Sequence, residues 1–261
     1  CQNTTTSAVV QRSACLTGEA DRGAAVTAVS TSGADTEVGF DDVFIQYVLG
    51  DWEFTLGQNN QISPMEDRTS SLNIPFNERS AYINAFGFTK ITSIAAATNG
   101  GNWSAGVAIQ GDDFNNPDST NTSETIGLAG RATWAPIYDR GPDGYTLVHL
   151  GLNARVRDNG GGPDASGIRG PGFRYRARPN TGFGDRFVDT GSLAFAQDSF
   201  VGGEFAAQMN EFGMAAEYGQ LKATPQSGTT LGPFNPTFRG GSVDCEWSPT
   251  GDARPYTGMD G

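Results

Sequence analysis

From Asp41 onward, apolar and polar residues alternate with a period of two, in segments separated by clusters of Gly, Asn, Asp and Pro. That is the pattern of half-buried strands joined by turns. Trp52, Phe54 and Leu56 share one face against Glu53, Thr55 and Gly57. After the turn Asn99-Gly100-Gly101-Asn102, Trp103, Ala105, Val107 and Ile109 oppose Ser104, Gly106, Ala108 and Gln110. Ile126, Leu128, Ala132 and Trp134 oppose Thr125, Gly127, Ala129, Arg131 and Thr133. Thr146, Val148, Leu150, Leu152, Ala154 and Val156 oppose Tyr145, Leu147, His149, Gly151, Asn153, Arg155 and Arg157. A hairpin around Asn210-Glu211 sets Val201, Phe205, Ala207, Met209, Phe212, Met214, Ala216 and Tyr218 against Gly202, Glu204, Ala206, Gln208, Gly213, Ala215, Glu217 and Gly219. A last strand is predicted near Phe238–Trp247. Residues 1–37 have little periodicity and read as a weakly structured segment, with a weak strand near Ala24–Ser30 and loop around it.

Several of these strands approach the roughly 9–11 residues of a tilted membrane-spanning strand, longer than the usual strand of about 5–6. Their less apolar face carries Gly, Ala, Ser and Thr with an occasional Arg or Glu, as the wall of a barrel lumen would. Trp52, Trp103, Trp134, Tyr145, Tyr218 and Trp247 lie toward strand ends and suit an interfacial girdle. A secreted β-sandwich or solenoid is the alternative that periodicity alone leaves open.

Composition sharpens the choice. The 261 residues include 36 Gly and 13 Pro and carry a net charge of −12, and Lys90 and Lys222 are the only lysines among 17 basic residues. A surface so poor in Lys is not an ordinary solvated one. No apolar run is long enough for a spanning helix, and 16 Phe, 7 Tyr and 4 Trp are too many for a disordered chain.

The one histidine, His149, and the scattered Cys1, Cys15 and Cys245 leave little catalytic or metal-binding vocabulary, and CxxC, HExxH, GxSxG and Walker motifs are all missing. No enzyme activity, metal site or cofactor is expected. Asp112-Asp113 with Asp118 and Asp158 with Asp164 do not have the spacing of a calcium hand, and read as solvated loop acids. A glycosidase-type pair of Glu204 and Glu217 on neighbouring strands has nothing else catalytic beside it.

Nine arginines lie between Arg131 and Arg186, against five aspartates. Within that stretch, Phe173-Arg174-Tyr175-Arg176-Ala177-Arg178, if extended, projects three guanidinium groups to one side, about 6.5–7 Å apart. Facing a pore, such a ladder offers an anion successive fork-shaped donors. A solvated edge strand is the plainer reading. Nucleic acid is disfavoured by the overall acidity and the scarcity of Lys.

At these positions the sequence resembles the phosphate- and polyphosphate-selective porins of Gram-negative outer membranes. The likeness runs in order through Phe40-Asp41-Asp42, Leu56-Gly57-Gln58, Met65-Glu66, Asn77-Glu78-Arg79, Gly130-Arg131, His149-Leu150-Gly151-Leu152, the three ladder arginines, Gly203-Glu204-Phe205, Ala215-Ala216-Glu217-Tyr218 and Thr250-Gly251-Asp252-Ala253-Arg254-Pro255-Tyr256. The resemblance implies an antiparallel transmembrane β-barrel over 38–261, in a trimer of barrels of about sixteen strands each. It also implies that 62–86 folds inward as a constriction loop. Arg174, Arg176 and Arg178 match the family's ladder, and Asp41 matches the acid of the central constriction. The family's constriction lysine falls on Asp67, with Arg68 beside it, which weakens the expectation of strict phosphate preference. The pattern yields only about nine to eleven strands, and so points to a barrel with part of its wall outside this chain.

Together these readings predict an outer-membrane channel in which phosphate-like anions diffuse along Arg174, Arg176 and Arg178. Arg131, Arg155 and Arg157 would add positive potential, and Asp41, Asp67 and Arg68 would line the constriction. A secreted β-rich binding or surface-structural protein is the alternative from another class.

Overall fold

Alternation becomes strands almost throughout. The computed structural model describes residues 22–26, 29–32, 37–40, 42–60, 62–113, 125–141, 144–159, 173–178, 185–191, 193–226, 234–250 and 256. In chain order the elements are β1 (Arg22–Val26), β2 (Val29–Ser32), β3 (Glu37–Phe40), β4 (Val43–Leu49), β5 (Trp52–Asn59), α1 (Met65–Arg68), α2 (Ala81–Ala85), β6 (Ile91–Asn99), β7 (Trp103–Gln110) and β8 (Thr125–Gly141). There follow β9 (Gly144–Asn159), β10 (Arg176–Ala177), β11 (Val188–Asp189), β12 (Phe195–Met209), β13 (Phe212–Pro225) and β14 (Thr237–Trp247). The single weak strand expected near Ala24–Ser30 is thus two, and β1 is hydrogen-bonded to β4.

Ten strands form one antiparallel sheet in the order β1-β4-β5-β6-β7-β8-β9-β12-β13-β14, while β2-β3 and β10-β11 are separate hairpins. Among the described residues the sheet is not closed on itself. From β4 on, the strands of this sheet follow one another in chain order, with the β10-β11 hairpin lying between β9 and β12, and their connections alternate between short and long. β4–β5, β6–β7, β8–β9 and β12–β13 are joined closely at one rim, whereas β5–β6, β7–β8, β9–β12 and β13–β14 are joined at the other by longer segments. This up-and-down path, with close turns on one rim, is that of an outer-membrane barrel. Gly50 and Asn210 supply positive φ in two of the close turns.

The two faces are inverted relative to a soluble sheet. Ile94 (62%), Leu152 (68%) and Val201 (62%) lie exposed on the outside, while Thr55, Ser93, Arg131, His149, Asn153, Asp198, Glu204 and Glu217 are buried on the inside. A surface this apolar would be unfavourable in water and is what hydrocarbon requires. Trp103 pairs with Trp134, and Phe212 with Trp247, at the close-turn rim, where Trp52 also lies exposed, giving that rim an aromatic girdle. Two expected girdle residues lie elsewhere. Tyr218 faces outward but well inside β13. Tyr145 shares the inward parity of Leu147, and a bulge between Trp134 and Ile137 turns Tyr138 inward as well, so the two rings meet edge to face at 6.2 Å.

Toward the long-loop rim the faces revert to the soluble order. On β13, Gln220, Lys222 and Thr224 are exposed outside, and Leu221 and Ala223 are buried inside. There the concave side holds a core of Tyr82, Ile83, Phe86, Phe88, Tyr175, Phe195, Phe200 and Leu221. Glycine permits the close approach: a Cβ on Gly219 would lie 2.4 Å from the Phe200 ring and 2.8 Å from the Tyr82 hydroxyl.

Candidate functional site: the inner face

Residues 62–86 lie on the concave face, fastened at both ends. Near α1, the Glu66 N–H donates to Glu217 Oε2 on β13 at 3.0 Å. Beyond α2, Arg155 on β9 donates to the carbonyls of Phe86 (2.6 Å) and Gly87 (3.2 Å), and its guanidinium lies 4.1 Å from the centre of the Phe88 ring. Within the segment, Arg79 donates to the carbonyls of Glu66 (3.1 Å), Asp67 (3.0 Å) and Thr69 (2.9 Å), which a four-residue helix leaves without partners of its own. Asp67 is buried, accepting from Ser63 Oγ at 2.8 Å with Arg79 Nε 3.9 Å away. Arg68 is half-buried, and its Nη1 donates to the Asn60 carbonyl at 2.7 Å. Burial raises the Asp67 carboxyl above its ordinary pKa, against the opposing effects of the Ser63 hydroxyl and Arg79. Burial raises the Glu66 carboxyl in the same way, although Ser80 donates to it from both its backbone and its hydroxyl. Asp41 lies outside the described residues; its neighbour Asp42 accepts from Lys90 Nζ at 2.8 Å.

Arg131 and Arg157, like Arg155, have partners in the wall or the loop. Arg131 Nε and Nη2 meet Glu204 Oε1 and Oε2 at 2.9 and 2.8 Å, and both side chains are fully enclosed. Asn153 Nδ2 adds a donor to Glu204 at 2.7 Å, His149 Nε2 stands 3.4 Å from it, and His149 Nδ1 is 2.9 Å from the Tyr256 hydroxyl. Glu217 lies directly across from Glu204 in the register of β12 and β13. Arg157 binds Asp198 through Nε (3.0 Å) and Nη2, and its guanidinium lies 4.6 Å from the centre of the Phe173 ring.

The stretch 173–178 is extended, and its burial alternates. Arg174, Arg176 and Arg178 are exposed, whereas Tyr175 and Ala177 are buried against the concave core. β10 pairs with β11, matching Arg176 to Asp189, and Thr190 N–H donates to the Tyr175 carbonyl at 3.0 Å. Arg174 holds Asp189 bidentately at 2.8 and 2.6 Å, which keeps that carboxyl below its usual range. Among the described residues, Arg176 and Arg178 make no ion pair. A polar cavity of about 600 Å³ opens beside the loop, lined by Asp42, Asn60, Arg68, Ser71, Arg79 and Lys90. Another of about 400 Å³ lies between the loop and β12–β14. Arg79 is absent from the sequence-based site, its place in the Asn77-Glu78-Arg79 motif being the one sign of it, and Arg155 stands there as a source of positive potential rather than as the fastening of the loop.

Replacing Arg155 with Ala removes two charged hydrogen bonds and a ring contact from the end of the loop. Each such bond contributes about 1.5–3 kcal/mol. Amide exchange over 81–88 is therefore expected to accelerate by at least about tenfold, while β9 and β12 keep their protection. Unchanged exchange over 81–88 would show that Arg155 does not hold the loop.

An apolar outside, a polar inside, an aromatic rim and an inward loop define a transmembrane β-barrel wall of the porin type. The family model described as phosphate-selective porin O and P matches residues 19–260, and the chain belongs to that family. A Caulobacter vibrioides protein of uncharacterized function is 30% identical over 252 residues, which make up 93% of this chain and 48% of that protein. The chain thus spans about half the length of the curated relative it matches.

Proposed function

We propose that the chain lines a channel of the bacterial outer membrane through which phosphate-like anions diffuse, in a homotrimer, without chemistry on the cargo. The observation carrying this reading is the alternation at 173–178, which leaves three guanidinium groups exposed on one side of a strand whose other side is anchored. Family membership supports the cargo class. Arg176 and Arg178 can each hold phosphate through two parallel N–H donors, and Arg174, whose Nε and Nη2 hold Asp189, joins the track by exchanging that carboxylate for the anion. Successive arginines lie about 6.5–7 Å apart, so one contact is made as another is released. Arg131, Arg155 and Arg157 supply background potential from positions where Glu204, the loop carbonyls and Asp198 already engage them. Asp67 acts as a post inside the loop that forms the constriction, and Arg68 beside it lines the polar cavity. The inverted faces disfavour a secreted, water-soluble protein.

The test is the reversal potential of reconstituted channels in a KCl gradient, with the three ladder arginines replaced together by Gln. Wild type is expected to prefer chloride, phosphate to compete for that current, and the variant to lose both. Cation preference in wild type, or selectivity indifferent to the three arginines, would overturn the proposal.

A further inference from the structure

Backbone bonds join the ladder stretch to the segment behind it, from the N–H groups of Phe187, Thr190 and Leu193 to the carbonyls of Ala177, Tyr175 and Phe173, so what fixes the arginines relative to the wall is the contact this hairpin makes with it. β10 contains only two residues, paired with two of β11. Its deepest contact is the Tyr175 side chain, which is enclosed between Phe195 (6.2 Å between ring centres) and Phe238 (5.0 Å) and donates its hydroxyl to Asp198 Oδ2 at 2.9 Å. Asp198 is fully buried near the long-loop end of β12. Its Oδ1 accepts from Arg157 Nε at 3.0 Å, and its Oδ2 also accepts from Arg157 Nη2, while the Arg157 guanidinium lies over Phe173, the residue that begins the ladder stretch. One carboxylate therefore ties β9 and β12 to the inner side of the strand whose outer side bears Arg174, Arg176 and Arg178.

We infer that Asp198, acting through Tyr175 and Arg157, is the positioning residue of the arginine ladder: an acid that the anion site needs. Alternation transmits the hold, because fixing Tyr175 on the inside sets the direction of the arginines on either side of it. A general electrostatic argument gives the opposite sign. Removing a negative charge among arginines should strengthen the attraction for anions. Losing the fastening should weaken binding, because donors that are free to turn pay the ordering entropy when phosphate arrives.

The inference rests on the proposed anion track, so the experiment keeps the two apart. Phosphate block of chloride current is measured in planar bilayers for wild type, Asp198→Asn and Tyr175→Phe. Amide exchange over 173–178 and 185–191 is measured separately in detergent, without any anion ligand. Asp198→Asn is expected to raise the half-blocking phosphate concentration at least fivefold and to speed exchange in both stretches. Tyr175→Phe, which keeps every charge, is expected to shift both in the same direction by less, and it serves if Asp198→Asn fails to fold. Phosphate block that strengthens or stays level in both variants, with exchange unchanged, overturns the inference. A wild type that phosphate does not block refutes the anion track, and the exchange data then decide the fastening alone.

Discussion

Arg131→Met is expected to lower the stability of the folded wall by about 3–5 kcal/mol, although it replaces a charged interior residue with an apolar one of similar length. The reason lies in what remains. Glu204 would stay enclosed with Asn153 as its main donor, while its neighbour across the sheet is another carboxylate, Glu217. The pair itself has little net value, because desolvating both charges offsets much of their attraction; the loss comes from orphaning one of them. The double variant Arg131→Met/Glu204→Gln should recover most of it, since a neutral amide oxygen still accepts from Asn153. Urea unfolding in lipid vesicles, followed by the emission of Trp103 and Trp134, measures both. A single variant within about 1 kcal/mol of wild type, or a double variant no better than the single, would show that the pair is solvated in the folded channel.

How far the sequence reveals this arrangement depends on how local the cause is. Side-chain direction in a strand has period two and needs no distant partner, so the inward set of Arg131, His149, Asn153, Glu204 and Glu217 is legible from alternation. The ladder is legible for the same reason. The partners are not: Arg131 and Glu204 are 73 positions apart, and they meet only because β9 lies between β8 and β12 in the sheet. Hence the pattern identifies basic residues that face inward without distinguishing those already engaged by acids from those left to a ligand. Asp67 is a related case. Its place in the motif suggests a residue facing the pore, yet Ser63 and Arg79 draw it into the interior of the loop. Tyr145 sits at a strand end, as a girdle residue would, yet keeps the inward parity of Leu147, while Pro136, in a strand that bulges there, is the local sign that Tyr138 changes its facing.

The scarcity of Lys follows from the same division of surfaces. Apolar residues occupy the outer band, buried pairs and small residues the inner wall, and the two lysines lie where neither applies. Lys90 is paired with Asp42 beside the polar cavity, and Lys222 is exposed on β13 where the outer face has become polar. An acidic total charge is compatible with an anion path because four acids of the inner side are committed: Glu204 and Asp198 to arginines in the wall, Asp189 to Arg174, Asp67 to the loop.

The outer band makes the second large prediction. Leu152 is 68% exposed on β9, flanked by Ala132 on β8 and Gly203 on β12, midway between the aromatic rim and the level where β13 turns polar outside. On a water-soluble sheet, an exposed Leu→Arg change is neutral within about 0.5 kcal/mol. On a lipid-facing wall the same change places a guanidinium in hydrocarbon and costs about 2–4 kcal/mol near the midplane, falling to about 0–1 at the interface. Leu152→Arg should therefore destabilise the protein in phosphocholine vesicles by the larger amount. Met209→Arg, at the close-turn rim and 63% exposed, should have an effect several times smaller despite nearly equal exposure. The contrast isolates depth from exposure, which no soluble fold distinguishes. Equal effects at the two positions, or a neutral Leu152→Arg, would mean that the apolar face does not lie in a bilayer.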